Sequence, residues 1–301
     1  PVQKRKALFV TLPILVVSVA AVSHLTPVHP IPDHPYFDDE LPLVIAHRGG
    51  KGLWPENTLY AFRRAVEMGV DVLEMDIRET ADGALVVIHD ERVDRTTDGR
   101  GRVEDLRLSE LQSLDAGRRW TNDDGETYPF GEQGIRIPTL AEVLEAFSET
   151  RMVIEIKPSS PLVASALCRT VTEYSRENQI VVASFHASVM ETFRKECPLF
   201  ATASAPEEVR SFLTWDLVYL GRLFHPKAEL FGVPESLGSL EIVTPRFVSQ
   251  AHRLNTRVQV WTVNDVEAMK RLLDMGVDGI MTDYPNRLMS LLDSWTITNR
   301  R

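Results

Sequence analysis

Two histidines occur where predicted strands end, and both are suited to moving protons. His47 follows the apolar residues 43–46 and precedes Arg48, while His89 closes the apolar run 85–88. An imidazole titrates near neutral pH, and a guanidinium holds an anion through two parallel hydrogen bonds. We therefore predict that His47 and His89 form an acid–base pair beside an anionic group.

Three carboxylates are predicted to converge on the same place. Side chains two positions apart on a strand share a face, so Glu74 points with Asp76 and Glu155 points with Lys157. A buried charge must be paired or must bind a metal, because isolation is costly. Carboxylates without clustered thiols favour a hard cation, and we predict one divalent cation, Ca²⁺ or Mg²⁺. The alternative is that Arg48 and Lys157 simply neutralise the carboxylates.

The segment after His47 has the signals of a turn followed by a helix. Gly49 and Gly50 permit a sharp turn or a close approach to a ligand. Asn57 is a suitable N-cap for an amphipathic helix that Gly69 would end. This arrangement would hold His47 at the end of a short buried strand.

Trp261 lies near the end of another predicted strand, 257–263. A tryptophan there either fills the core or forms a wall of the substrate site. The sequence does not decide between the two, and we retain Trp261 as a candidate substrate-binding residue.

Short apolar runs alternate with helix-length amphipathic segments from residue 43 onward. The candidate strands are 43–47, 71–77, 84–89, 152–157, 180–184, 199–203, 240–244, 257–263 and 279–283. Nine strands are one too many for a (β/α)8 barrel, and we expect either 199–203 or 240–244 to be a loop. The alternation predicts a parallel sheet, closed or doubly wound, and the absence of a glycine-rich dinucleotide fingerprint disfavours the doubly wound form.

An internal repeat favours closure of the sheet. Residues 67–76, EMGVDVLEMD, align without a gap with residues 274–283, DMGVDGIMTD. Recurrence of one strand–helix unit is typical of a barrel. We predict an α/β TIM (β/α)8 barrel spanning 43–295, with a small insertion at about 92–135 after the third strand.

The overall composition limits the function classes. The 301 residues contain 44% hydrophobic residues, enough for one large domain, and the net charge of −10 disfavours a nucleic-acid partner. Cys168 and Cys197 are the two cysteines. We expect two buried thiols, with a single disulfide as the alternative if the domain is exported.

The first 25 residues differ from the rest. Lys4, Arg5 and Lys6 precede an uncharged run, 7–25, that is nearly long enough to cross a bilayer as a helix. We predict a transmembrane signal anchor or a signal peptide, and the length of the run favours the anchor. The catalytic domain would then be membrane-anchored on the non-cytoplasmic side, or secreted after cleavage. Residues 26–42 contain five prolines and are predicted to be a linker.

The chemical residues lie in a series of motifs that resembles the glycerophosphodiester phosphodiesterase family. The matching motifs are HRG at 47–49, PENT at 55–58, E-x-D at 74–76, HD at 89–90, LDAG at 114–117, IPTL at 137–140, EIK at 155–157, SF at 184–185, WTVN at 261–264 and GVDGIMTDYP at 276–285. The resemblance extends from residue 43 to about residue 292. It implies a TIM-type barrel.

The resemblance also implies roles for individual residues. Glu74, Asp76 and Glu155 would be metal ligands, and His47 and His89 the general acid and base. Arg48 and Lys157 would hold the phosphate oxygens. The implied reaction is metal-dependent hydrolysis of glycerophosphodiesters, such as glycerophosphocholine or glycerophosphoethanolamine, to glycerol 3-phosphate and an alcohol.

Two alternatives remain open from the sequence. The hydrophobic N-terminus would suit lysophospholipase D-type cleavage of lysophospholipids to lysophosphatidic acid. A non-catalytic, membrane-tethered module that binds phosphodiesters is the other, although every residue of the implied catalytic set is present. A phosphatidylinositol-type lyase would also use two histidines on a barrel but fits the three-carboxylate set less well.

Overall fold

The computed structural model describes residues 28–38, 42–218 and 220–299. The predicted N-terminal helix at 1–25 lies outside these ranges. Within them, no helix combines the length and apolar character needed to cross a membrane.

The strands are β1 Leu43–Ala46, β2 Val72–Glu79, β3 Leu85–Val87, β4 Arg151–Ile156, β5 Ile180–Ala183, β6 Ala201–Thr202, β7 Leu230–Pro234, β8 Ser236–Leu237, β9 Leu240–Glu241, β10 Arg257–Trp261 and β11 Gly279–Thr282. Eight of them are parallel and form the predicted barrel, in the order β6-β5-β4-β2-β1-β11-β10-β7. An isolated parallel bridge from Ala203 to Leu230 joins the two ends of that order. The TIM-barrel prediction is confirmed.

The α-helices pack around the barrel and connect its strands. They are α1 Leu59–Met68, α2 Leu108–Leu111, α3 Leu140–Ala146, α4 Pro161–Glu173, α5 Ala187–Glu196, α6 Pro206–Leu217, α7 Pro245–Arg253, α8 Val266–Asp274 and α9 Pro285–Asn299. Helix α1 begins one residue later than predicted. Its N-cap is Thr58, whose hydroxyl accepts the Ala61 N–H at 3.1 Å, and Gly69 ends it in the left-handed conformation with φ 95°.

Two of the nine predicted strands are not barrel strands. The candidate at 84–89 is β3, which pairs antiparallel with β2 beside the barrel. The candidate at 240–244 contributes only β9, which forms a hairpin with β8. The barrel strand that sequence reasoning missed is β7. Its LFGVP sequence contains a glycine and a proline, which are unfavourable in strands and concealed it.

The insertion follows the third strand of the chain, as predicted, but that strand belongs to the side hairpin. It therefore separates the barrel strands β2 and β4. The insertion has a small core of its own, formed by Val86, Ile88, Val93, Val103, Leu111, Ala116, Ile135 and Ile137. Because it has this apolar cluster of its own, the insertion is a folded unit that covers one side of the barrel rather than an open loop.

Residues 28–38 of the predicted linker are packed against the barrel. The Asn255 side chain donates to the carbonyl of Ile31 at 2.9 Å. Tyr36 and Phe37 are buried, with ring centroids 4.8 Å apart, in a cluster that includes Leu43 and Val72 from the starts of β1 and β2. These two aromatic residues therefore close the N-terminal end of the barrel, a contact that the sequence interpretation did not anticipate.

The preferred expectation of two free thiols is wrong. Cys168 on α4 and Cys197 at the end of α5 form a disulfide, with 5.8 Å between their Cα atoms. The two helices pack side by side, and this places the cysteines within bonding distance. The alternative of a single disulfide is the one that the structure adopts.

The internal repeat has a structural counterpart at the N-terminal ends of the strands. Asp71 accepts the backbone N–H of Val44 at 2.7 Å, and Asp278 accepts that of Val258 at the same distance. Each aspartate follows a helix that ends at a left-handed glycine. The two repeat units are thus anchored to their neighbouring strands in the same way.

Candidate active site

Three carboxylates come together at the C-terminal end of the barrel. Glu74 and Asp76 lie on β2, and Glu155 lies opposite Asp76 on the neighbouring β4. One oxygen atom from each of the three lies within 4.8 Å of the others. Glu74 and Asp76 are 2% and 1% exposed, so water does little to separate their charges. The arrangement is a group of two buried and one partly buried carboxylates that could hold a metal ion.

Two cations contact this group. The Arg48 Nε atom lies 3.1 Å from Asp76 Oδ2, and Lys157 Nζ lies 3.2 Å from Asp76 Oδ1 and 2.8 Å from Glu155 Oε1. The ion pairs considered as an alternative to metal binding are therefore present. Two cations do not neutralise three carboxylates. Burial raises the pKa of Glu74 well above its ordinary value, and the negative charges of Asp76 and Glu155 raise it further.

The donor set fits a hard divalent cation. All of its ligand atoms are carboxylate oxygens, the type that Ca²⁺ and Mg²⁺ prefer. A bound cation would supply the positive charge that the carboxylates lack, because Arg48 and Lys157 are shared among them. The fit rests on the chemistry of the donors and on their burial.

A strained turn fixes Arg48. Its backbone is left-handed, with φ 52°, and its N–H donates to Glu74 Oε2 at 2.8 Å. Its Nη1 donates to Glu56 at 2.8 Å. A Cβ atom at Gly49 would lie only 2.9 Å from the Ala61 side chain. The turn therefore packs too closely against α1 for any residue other than glycine at this position.

His47 is paired with a carboxylate from the far end of the sequence. Its Nδ1 lies 2.5 Å from Asp283 Oδ1, which leaves Nε2 as the nitrogen available for proton transfer. Burial lowers the pKa of His47, and the hydrogen bond with Asp283 opposes that shift. The hydrogen bond with Asp283 therefore holds the ring in one orientation.

His89 has an equivalent partner. Its Nδ1 lies 2.6 Å from Asp90 Oδ1, and its carbonyl accepts from Arg78 Nε at 2.8 Å. Burial lowers the pKa of His89, while the nearby Asp76 raises it. Both histidines of the predicted pair thus engage an aspartate through Nδ1, an arrangement that orients an acid–base imidazole.

Two asparagines that the sequence analysis did not assign to the site hold its aspartates. Asn57 donates to Asp76 Oδ2 at 2.9 Å, and Asn264 donates to Asp283 Oδ2 at 2.8 Å. Each asparagine also accepts the backbone N–H of its aspartate, at 3.3 and 2.9 Å. Each precedes its aspartate by 19 residues. Extending the internal repeat upstream would have paired the two asparagines.

Trp261 lies at the mouth of the barrel beside Phe185. Their ring centroids are 5.7 Å apart, and Lys157 Nζ lies 5.9 Å from the centroid of Phe185. Trp261 also packs against the apolar cluster of the barrel interior. Trp261 is therefore partly a core residue, and its role as a wall of the substrate site stays a prediction.

The insertion closes the opposite side of the mouth. Trp120 donates its indole N–H to the carbonyl of Lys51 at 3.0 Å and packs against Phe130, with ring centroids 4.9 Å apart. These contacts fasten residues 118–134 to the turn that carries His47 and Arg48. Access to the carboxylates is bounded by this loop and by Phe185 and Trp261.

The C-terminal end of the barrel thus combines two aspartate-paired histidines with an acidic cluster that could hold a metal ion, an arrangement suited to acid–base chemistry on an anionic substrate. Residues 47–287 match the model of the glycerophosphoryl diester phosphodiesterase family. The chain belongs to this family and is a phosphoric diester hydrolase. The match contains every predicted site residue.

Individual relatives agree with this assignment. A glycerophosphodiester phosphodiesterase of Caldanaerobacter subterraneus is 35% identical over 262 residues, which cover 83% of this chain and 97% of the relative. Lysophospholipase D GDPD1 of Homo sapiens is 30% identical, over 84% of this chain and 86% of the relative. An Oleispira antarctica phosphodiesterase, solved with the product sn-glycerol-3-phosphate, is 26% identical with a TM-score of 0.66, over 84% and 97% of the two chains.

Proposed function

We propose that this protein hydrolyses glycerophosphodiesters to glycerol 3-phosphate and an alcohol at the C-terminal end of its barrel. The observation that carries the proposal is the convergence of two aspartate-oriented histidines on a buried group of three carboxylates. Its relatives include a glycerophosphodiester phosphodiesterase and a phosphodiesterase solved with sn-glycerol-3-phosphate. Glycerophosphocholine and glycerophosphoethanolamine are the proposed substrates.

The proposed metal ligands are Glu74, Asp76 and Glu155, and the ion is Ca²⁺ or Mg²⁺. When bound, the ion stabilises negative charge on the phosphoryl oxygens. Arg48 and Lys157 already contact the carboxylates, and we assign them to the substrate's phosphate oxygens as well. Such a site attracts a phosphodiester through cations and holds the cations in place through carboxylates.

The histidines divide the proton transfers between them. One of them, through Nε2, takes the proton of the glycerol hydroxyl next to the phosphate, and that oxygen attacks phosphorus. The other gives a proton to the departing alcohol oxygen, and a cyclic phosphate results. Water then opens the ring with the roles of His47 and His89 reversed. Asp283 and Asp90 stabilise each imidazolium as it forms.

Lysophospholipids are the second candidate substrates, because apolar side chains surround one side of the mouth. Phe185 is 50% exposed, and Leu237 and Leu240 are 68% and 59% exposed on the β8–β9 hairpin. The hairpin follows β7, whose Pro234 is the strand neighbour of Trp261. An acyl chain would lie along this side of the mouth.

We also propose that the domain functions outside the cytoplasm, either anchored by residues 1–25 or secreted. The uncharged run after three basic residues supports export. The disulfide between Cys168 and Cys197 supports an oxidising compartment. We expect residues 1–42 to export alkaline phosphatase that is fused after residue 42, so that the reporter is active. An inactive fusion would contradict this location.

The substrate test offers glycerophosphocholine and lysophosphatidylcholine in parallel, with Ca²⁺, Mg²⁺ or a chelator, and identifies products by mass. Glycerol 3-phosphate that disappears with chelator supports the diesterase, and lysophosphatidic acid supports the second candidate. Leu237→Ser with Leu240→Ser should impair only the lipid reaction. Leu199→Ser, at an equally exposed leucine between α5 and β6, is the control. Turnover of neither substrate by folded, metal-loaded protein would contradict both proposals.

A further inference from the structure

One guanidinium in the insertion contacts two carboxylates near the site. Arg95 ends a short 3-10 helix, Val93–Arg95, that follows β3. Its Nη1 and Nη2 each donate to Glu56 at 2.7 Å. Its Nε and Nη2 donate to Asp90 at 2.6 and 3.1 Å. Arg95 therefore makes two forked ion pairs, one with each carboxylate.

Each carboxylate also contacts a residue of the proposed reaction. Glu56 Oε1 accepts from Arg48 Nη1 at 2.8 Å, and Asp90 Oδ1 lies 2.6 Å from His89 Nδ1. The Glu56 side chain is only 11% exposed, so its position is set by these partners rather than by water. A single guanidinium thus connects the phosphate-binding side of the site to the proton-transfer side.

We propose that Arg95 is a positioning residue that fixes Arg48 relative to His89 and so couples the insertion to catalysis. The inference rests on the proposed function, since it concerns the same site. A planar guanidinium with two forks defines the angle between its carboxylates. Arg95 acts through Glu56 and Asp90, and the hydrogen bonds that carry this action are 2.6 to 3.1 Å long. The insertion then does more than cover the barrel, because it sets the distance across which a phosphodiester must fit.

Three substitutions test the proposal in the full chain. Arg95→Met keeps the length of the side chain but removes both forks, and Arg95→Lys keeps the charge but not the fork geometry. Arg92→Met is the matched control, because Arg92 is an exposed arginine of the same segment that pairs only with its neighbour Asp94 among the described residues. Circular dichroism and thermal unfolding establish that each variant is folded.

Misplacing reacting groups by about 1 Å costs on the order of 100-fold in rate. We expect Arg95→Met to lose on the order of 100-fold in kcat/KM for glycerophosphocholine and Arg95→Lys about 10-fold. Arg92→Met should stay within about twofold of wild type. Wild-type activity in folded Arg95→Met or Arg95→Lys would overturn the proposal. If Arg95→Met does not fold, Arg95→Lys alone decides.

A coupling measurement separates positioning from a merely structural contact. If Arg95 acts through its two carboxylates, Arg95→Met should cost much less in a Glu56→Gln, Asp90→Asn background than in wild type. Equal cost in both backgrounds would overturn the proposal.

Binding of glycerol 3-phosphate, followed by calorimetry, gives a readout without turnover. Arg95→Met should weaken this binding several-fold, because Arg48 loses its support, and Arg92→Met should not. Equal affinity in Arg95→Met and wild type would count against the inference. An inactive wild-type enzyme would instead count against the proposed function, so the two failures are distinguishable.

Discussion

The two ends of the barrel each contain a histidine–aspartate pair, and the pairs differ in what else holds the aspartate. At the C-terminal end, His47 contacts Asp283, which is held by the side chain of Asn264. At the N-terminal end, His252 Nε2 lies 2.7 Å from Asp278, which also accepts a backbone N–H of β10. The N-terminal aspartate thus ties strands together, whereas its C-terminal counterpart orients an imidazole.

The same contrast holds for the two ends as a whole. The N-terminal end is closed by Tyr36 and Phe37 within an apolar cluster. The C-terminal end holds neighbouring carboxylates. Burial raises the pKa of Glu74, and repulsion from Asp76 and Glu155 raises it further. Apolar packing at the N-terminal end stabilises the fold. This stabilisation offsets the electrostatic repulsion among the carboxylates at the C-terminal end.

The largest expected effect separates the two histidine–aspartate pairs. His47→Ala should lower kcat/KM by roughly 1,000- to 10,000-fold, because it removes a group that transfers a proton. His252→Ala should leave kcat/KM within about threefold of wild type, since it removes only a hydrogen bond with Asp278 at the N-terminal end of the barrel. Steady-state kinetics with glycerophosphocholine measures both. His89→Ala should lose as much activity as His47→Ala. An active His47→Ala enzyme would contradict the claim that the His47–Asp283 pair serves the reaction.

A loss of stability without a loss of activity is expected at the aromatic plug, the pair Tyr36 and Phe37 that closes the N-terminal end of the barrel. Tyr36→Ala should lower the free energy of unfolding by about 3–5 kcal/mol, because it leaves a cavity at the N-terminal end. Its kcat in folded protein should be unchanged. Tyr36→Phe is the control: the hydroxyl has no hydrogen-bond partner among the described residues, so this change should be neutral. Denaturant unfolding tests the pair, and equal stability of all three proteins would contradict the role of the plug.

A smaller effect compares the two aspartates directly. Asp283→Asn should reduce kcat about 10- to 100-fold, as is typical when the group that orients a functional histidine is lost. Burial lowers the pKa of His47 and Asp283 raises it, so the substitution should move the His47 limb of the pH–rate profile to lower pH. Asp278→Asn should lower the melting temperature without shifting that limb. A limb that shifts upward would contradict the assignment.

The smallest effect concerns acid stability at the charged end. Burial would raise the pKa of Glu56, but hydrogen bonds and charges from Arg95 and Arg48 bring it down to about 2. The folded carboxylate therefore contributes stability that is complete above about pH 4.5 and is lost as the pH falls towards 2. One proton changes stability by at most about 1.4 kcal/mol per pH unit.

Glu56→Gln should flatten the pH dependence of unfolding between pH 4.5 and 2, which acid titration of denaturant midpoints measures. Glu67→Gln, which removes an exposed partner of Arg64, should leave that slope as in wild type. Identical slopes in the two variants would contradict the role assigned to Glu56.

Much of the site could be predicted because its chemistry is local in the sequence. Period-two alternation placed Glu74 with Asp76 and Glu155 with Lys157, and the structure brings all four together. The resemblance then supplied their expected roles. By contrast, the partner of His47 is Asp283, 236 residues away, and only closure of the barrel brings the two together.

Other features escaped prediction for specific reasons. β7 contains Gly232 and ends in Pro234. Proline and glycine are normally signals of a turn. The aromatic plug was missed because Tyr36 and Phe37 stand in a proline-rich segment whose composition suggests a spacer. In each case a tertiary contact overrides the local signal.

The most direct test of the charged end is a metal titration of the chelator-treated protein. Calorimetry should detect one Ca²⁺ or Mg²⁺ ion per chain, and glycerol 3-phosphate release from glycerophosphocholine should rise in proportion to occupancy. Glu74→Gln should abolish both responses while folding survives, because it removes one of the three carboxylates. Full activity in metal-free protein, or metal binding that is unchanged in Glu74→Gln, would contradict the account.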